Sequence, residues 1–162
     1  MKPHAKARWL KFAAAFGAAW ILTASASPAV KNMAVVVSAG SKLTDLPLSD
    51  LVKLCKGTIK SWPDGKAFLL VVKEPEGAEM RSASLKLFGA SGSDVKAVIA
   101  KLNEAHTVVK IVESDEDLLR TVAATPGAVG IVDVYAINSA VKVLRVDGKL
   151  PFDLGYALKS NQ

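Results

Sequence analysis

Ser114-Asp115-Glu116-Asp117-Leu118-Leu119-Arg120-Thr121-Val122-Ala123-Ala124-Thr125-Pro126-Gly127-Ala128-Val129-Gly130-Ile131-Val132-Asp133-Val134 holds a helix, a stop and a strand in one run. Ser114 is suited to accept from the free N–H groups of a first turn, and the three acids after it complement the positive end of a helix dipole. Leu118, Leu119, Val122 and Ala123 recur at the spacing of one buried helical face. Thr125-Pro126-Gly127 ends the helix, and Ala128–Val134 follows as a β-branched, apolar strand. An apolar strand of this kind, without alternation, is expected where a sheet is covered on both faces.

The same alternation extends outward. Upstream, Met33–Val37 reads as a strand closed by Ser38-Ala39-Gly40-Ser41, and Leu48–Lys56 as a helix with Gly57 as its stop. Pro47 falls at or before that helix's first turn, where its missing N–H is harmless. Trp62-Pro63-Asp64-Gly65 is a turn, followed by a strand over Phe68–Val72 and a loop over Lys73–Gly77. Helices are expected over Ala78–Phe88 and Asp94–Ala105, and a strand over Thr107–Val112. Downstream, Val141–Val146 gives one further strand before the Asp147-Gly148 turn. Strands alternating with helices predict an α/β domain of three layers, αβα, around a mostly parallel sheet. In such sheets ligands sit beyond the carboxyl ends of strands and near helix N-termini. That points to Ser38–Ser41, Glu76–Arg81 and Ala123–Gly127.

The chain has 162 residues, 51% of them hydrophobic and 22% charged, with a mean hydropathy of +0.29. Intrinsic disorder is excluded by that balance. The formal charge of +6, from 21 Lys+Arg against 15 Asp+Glu, is unevenly placed. Lys2, Lys6, Arg8 and Lys11 precede an uncharged run from Phe12 to Ala26 that ends Ala24-Ser25-Ala26. A basic start, an apolar middle and a small-x-small end define a cleavable export signal over residues 1–26, leaving a domain over 27–162. An uncleaved anchor is the alternative, but the uncharged run falls short of the ~20 residues a membrane span needs. A periplasmic or secreted location follows. The remainder carries 17 basic against 15 acidic residues, which gives no electrostatic footprint for nucleic acid.

Much catalytic chemistry is excluded by residue type. Cys55 is the single cysteine and lies in the apolar run Leu51–Cys55, where a buried small hydrophobe is expected rather than a reactive thiol. His4 belongs to the signal, and His106 has no second His or Cys near it, so no zinc site is expected. No Gly-x-Ser-x-Gly elbow supplies a nucleophile for a triad. Neither an enzyme nor a cofactor is expected.

Several stretches together carry a family resemblance: Leu48-x-x-Leu51 with Lys56-Gly57, Trp62-Pro63-Asp64-Gly65, Gly77-x-x-x-Arg81, Phe88-Gly89 and, most specifically, Val122–Gly130. From Val35 to Val146 the chain resembles the phosphate-type periplasmic substrate-binding proteins. That resemblance implies a type II periplasmic-binding-protein-like fold, reduced to one of the family's two lobes. It implies capture of a small anion such as phosphate, in company with a membrane permease. The family's phosphate loop reads Ser-Gly-Thr before an Arg. The aligned segment here is Ala78-Glu79-Met80-Arg81, so Arg81 and Ser82 keep the chemistry while Ala78 and Met80 do not.

The candidate ligand-binding set is therefore Ser38, Ser41, Gly77, Ala78, Arg81, Ser82 and Thr125. Each has a plainer role as well. Arg81 would pair with Glu76 or Glu79, Ser38 and Ser41 would form turns, and Thr125 would finish a helix. Trp62 is placed either to stack on a ligand or to pack beside its turn. The degenerate loop motivates a second function, a periplasmic protein-interaction module that keeps the fold without binding phosphate.

Overall fold

The computed structural model describes residues 32–104, 106 and 108–159. The expected export signal and its cleavage point before Ser27 lie outside the described residues.

Five strands form the central sheet: β1 (Met33–Ser38), β3 (Leu69–Lys73), β4 (Val109–Val112), β5 (Ala128–Asp133) and β6 (Val141–Val143). Their order is β4-β3-β5-β1-β6. β3 pairs in parallel with both β4 and β5, while β1 runs antiparallel to β5 and to β6. Four strands thus point one way and β1 points the other, so the sheet is mostly parallel, as expected. The reversal of β1 places its carboxyl end, Ser38, level with the amino end of β5.

The strand expected over Val141–Val146 divides. Leu144 is fully buried and donates its N–H to the carbonyl of Val35 at 2.8 Å. Beyond it, β7 (Arg145–Val146) leaves the sheet to pair in parallel with β2 (Asp45–Leu46). The Asp147-Gly148 turn has positive φ at both residues, 52° and 75°, which matches a two-residue hairpin turn.

The layers are as expected. α1 (Leu48–Cys55), α2 (Arg81–Phe88) and α3 (Asp94–Leu102) bury Leu51, Leu54, Leu87, Val95 and Ile99 with Val35, Leu70 and Ile131 on one face. α4 (Asp115–Ala124) buries Leu118, Leu119 and Val122 with Val36, Val71 and Val132 on the other. Gly130 makes the close approach of α4 possible, because a Cβ there would lie 2.6 Å from Leu118 Cδ2. The N-terminus of α4 is built as its sequence predicts: the Asp117 N–H donates to Ser114 Oγ at 3.0 Å.

Two helices are shorter than their patterns. The one expected from Ala78 starts at Arg81, because tight turns occupy the chain before it: Gly77 N–H donates to Glu74 O at 2.8 Å and Met80 N–H to Gly77 O at 3.1 Å. The one expected to reach Ala105 stops at Leu102. There Asn103 leaves the helix and accepts from the N–H groups of Val108 and Val109 at 2.8 and 3.0 Å, steering the chain into β4. Cys55 is fully buried, and desolvation pushes its thiol far above the usual range. It is a core residue, as expected.

Asn32, just before β1, forms an antiparallel bridge with Lys159. The chain therefore enters and leaves the described domain at one end of the sheet, beside the last residues of β5.

Candidate functional site

The candidate residues fall at opposite ends of the sheet. Ser38, Ser41 and Thr125 line a groove of about 710 Å³ at the amino ends of β3 and β5. Gly77 and Ala78 line a smaller cavity of about 160 Å³ at the carboxyl ends of the same strands. β5 alone separates the two by six residues, roughly 17 Å at the usual rise of a strand. The reversed β1 explains the division, since the carboxyl end of β1 lies at the amino end of its neighbours.

Three walls make the larger groove. The first is the turn after β1, Ser38 to Leu43, with Ser41 N–H donating to Ser38 O at 2.9 Å. Ser41 Oγ accepts from Leu43 N–H at 3.2 Å, and Lys142 Nζ donates to Ser41 O at 2.6 Å, so the turn is fixed from both sides. The second wall is the Trp62–Lys66 turn. Its indole Nε1 donates to Gly127 O at 2.9 Å, and its ring meets Phe68 edge-on at 5.7 Å between centroids. The third is the stop of α4, Ala123 to Ala128. Gly127 is essential to its geometry: φ is +85°, and a Cβ would stand 2.3 Å from Ala67 O.

The electrostatics of the groove favour an anion on the first wall. Lys66 pairs with Asp64 and holds its carboxyl below the usual range through hydrogen bonds. Lys42 is exposed on the first wall, beside the Ser38 and Ser41 hydroxyls, and forms no ion pair among the described residues. The third wall carries the carbonyl end of α4, whose partial negative charge repels an anion. The full ammonium charge of Lys42 on the first wall exceeds that half charge.

The smaller cavity is built differently. Glu74, Glu79, Asp115 and Asp133 line it together with Lys73, the one cation of the lining among the described residues, which pairs with Asp115 at 2.9 Å. Like charges at about 4 Å repel by about 1 kcal/mol in water and by about 4 kcal/mol near a protein surface, so the Glu74 carboxylate in this lining opposes an anion. Met80, which stands in the aligned loop, is buried in the core at 2% exposure. Arg81 is exposed at the start of α2, and Ser82 is half-buried beside it. The Glu76 carboxylate, one of the two partners considered for Arg81, pairs instead with Lys96, whose hydrogen bond draws the carboxyl below its usual range.

Sequence reading missed two contributors. Lys42 sits directly after the Ser38–Ser41 turn, and a basic residue beside paired serines was the available signal. Ser84, fully buried, donates to Pro75 O at 2.7 Å and ties the aligned loop to α2. Nothing in its helical pattern marked it. Trp62 packs beside its turn, with one edge on the groove. His106 is exposed. Among the described residues no group of three or more His, Cys, Asp or Glu is arranged to hold a metal ion, and no helix is long and apolar enough to cross a membrane.

This architecture is the fold of the phosphate-binding proteins that serve ABC-type transport, a mixed α/β domain with a mostly parallel sheet. Over 84 residues the chain is 32% identical to Phosphate-binding protein PstS 2 of Streptococcus agalactiae, in serotype V and serotype III strains alike. That match takes in 52% of this chain and 28% of those proteins. Among solved structures, PstS from Borrelia burgdorferi is similar with a TM-score of 0.57 at 18% identity, over 82% of this chain and 56% of that one. An ABC-type phosphate transport receptor from Vibrio cholerae gives 0.54 at 18% identity, over 76% and 49%. A phosphate-binding protein from Stenotrophomonas maltophilia gives 0.56 at 15% identity, over 75% and 40%. The matched region spans about half the length of these solved relatives and under a third of the curated ones. No family model matches the chain. The resemblance read from the sequence therefore holds, in sequence over half the chain and in fold over most of it. The relatives are named for phosphate binding and transport rather than for catalysis.

Proposed function

We propose that this chain is an exported solute-binding-like domain that captures a small oxyanion, such as phosphate, without chemistry, and passes it to a membrane permease. The observation that carries this reading is the groove in which Ser38, Ser41 and Thr125 converge from two distant segments beside Lys42. Hydroxyl donors with one uncompensated ammonium suit an oxyanion head. Arg81, Ser82, Gly77 and Ala78 contribute less to this reading, because carboxylates crowd their end of the sheet. Export through residues 1–26 is part of the proposal. A ligand that binds only the folded state raises its melting temperature. Millimolar phosphate or sulfate should therefore raise the melting temperature of the intact chain, and Lys42→Glu should remove the rise. No rise with either ion would overturn the reading.

A second reading, a protein-interaction module, is favoured by a different observation. Tyr135, Phe152 and Leu154 are 83%, 60% and 94% exposed, and the rings of Tyr135 and Phe152 meet edge-on at 6.4 Å. Exposed aromatic groups of this kind recur at protein interfaces. Capture of one defined periplasmic protein, lost on Tyr135→Ala, would support this reading over the first.

A further inference from the structure

We infer that the groove between the Ser38–Leu43 turn and the stop of α4 takes an organic oxyanion, an acidic head on an aromatic or branched aliphatic body, in preference to an inorganic ion. This deepens the oxyanion reading above and rests on it. Three features of the groove carry it.

The first is size. A volume of about 710 Å³ lies within the range of roughly 300–1,000 Å³ typical of sites for ligands of many atoms. A five-atom phosphate would leave most of it wet.

The second is the division of chemistry between the walls. The Ser38 and Ser41 hydroxyls and the Lys42 ammonium lie on the first wall, while the polar side chains of the other two are the Thr125 hydroxyl and the mutually paired Asp64 and Lys66. Pro63, Ala124, Pro126 and the edge of Trp62 lie on the other two. An inorganic ion held by the first wall leaves that apolar surface unused. A ligand with its head at Lys42 and its body between the two prolines uses both. The α4 carbonyl end reinforces this polarity, since it repels a negative head and tolerates a neutral body.

The third is rigidity. Trp62 is held by Gly127 and Phe68, Pro63 and Pro126 have fixed φ, and Lys142 braces the first wall. A preformed apolar surface binds without the entropy cost of ordering it.

The test is calorimetric titration of the intact chain with phenyl phosphate, inorganic phosphate and benzyl alcohol. Phenyl phosphate is expected to bind at least ten-fold more tightly than inorganic phosphate. Lys42→Glu should abolish its binding. Ala124→Phe, which fills the groove from an exposed position at the end of α4, should weaken it at least ten-fold while the melting temperature of the free protein stays within a few degrees. Equal or tighter binding of inorganic phosphate would overturn the inference and leave the oxyanion reading standing. Binding of benzyl alcohol alone, or of none of the three, would overturn both. Phenyl phosphate binding unchanged in both variants would place the ligand elsewhere and overturn the inference as well.

Discussion

The indole N–H of Trp62 donates to the carbonyl of Gly127 across 65 positions of sequence, at 2.9 Å. This bond joins the turn before β3 to the turn before β5, two loops that no ladder hydrogen bond connects. It therefore sets the spacing between two walls of the groove. Trp62→Phe removes the donor and part of the buried ring volume, leaving a carbonyl in need of a partner beside a small void. A loss of about 1–3 kcal/mol is expected in urea unfolding, the cost of leaving such a group unsatisfied. Any ligand of the groove should bind less tightly to this variant. An unchanged urea midpoint would show that the bond contributes nothing to stability.

Gly127→Ala meets two obstacles at once. Its φ of +85° is unfavourable for any L side chain, and its Cβ would collide with Ala67 O at 2.3 Å. Backbone oxygen cannot move aside as a side-chain tip does. The expected cost is about 2 kcal/mol or more, read as a lower midpoint in urea and a lower yield of folded protein. Gly89→Ala is the control. It shares a positive φ but has nothing within 4 Å of its Cβ, so it should cost clearly less.

Tyr156 is buried, and its hydroxyl makes no well-formed hydrogen bond among the described residues, although the Val35 backbone lies close enough to offset part of the burial. Burial raises the phenol from about 10 to about 12. The folded state thus favours the neutral phenol, a stabilisation fully present below pH 10 and lost as pH rises towards 12. Base unfolding in that window is expected for the native protein. Tyr156→Phe should flatten the high-pH decline and change stability near neutral pH little, since the hydroxyl it deletes makes no well-formed hydrogen bond among the described residues. Melting temperatures measured from pH 7 to 12 decide the matter.

Ser114→Ala removes the acceptor for the Asp117 N–H at the start of α4. A loss of about 1 kcal/mol is expected from thermal or urea melts. Ser114→Asp should recover only part of it, because its carboxylate caps and suits the helix dipole but stands against the Asp117 carboxylate, to which the Ser114 hydroxyl donates at 3.0 Å. Failure of Ser114→Asp to recover stability would mean that the hydroxyl's own contact with Asp117 Oδ2, at 3.0 Å, matters more than the cap.

What the sequence made legible was local. Ser114, Leu118, Val122 and Gly127 announced a capped helix and its stop, because caps, periodicity and positive φ act within a few residues. Cys55 was placed in the core by the apolar run around it. The direction of β1 was not legible, since an apolar run such as Met33–Val37 reads alike whichever way its neighbours point. That one unknown decided the site. It sent Ser38 and Ser41 to the end of the sheet occupied by Thr125, and away from Gly77 and Arg81. The division of Val141–Val146 at Leu144 was equally hidden, because it depends on Val35 and on a two-residue partner strand far upstream. Met80 could be recognised as unable to hold phosphate through its side chain, but only packing shows that it fills the core instead.

The bridge between Asn32 and Lys159 has a practical result. A tether fastened at Asn32 or at Lys159, whether a surface, a tag or a fused partner, meets the described domain at the pole opposite the groove. Held at either residue, the domain presents the same face to the solution, with the exposed Lys42 and Pro126 open to whatever diffuses past.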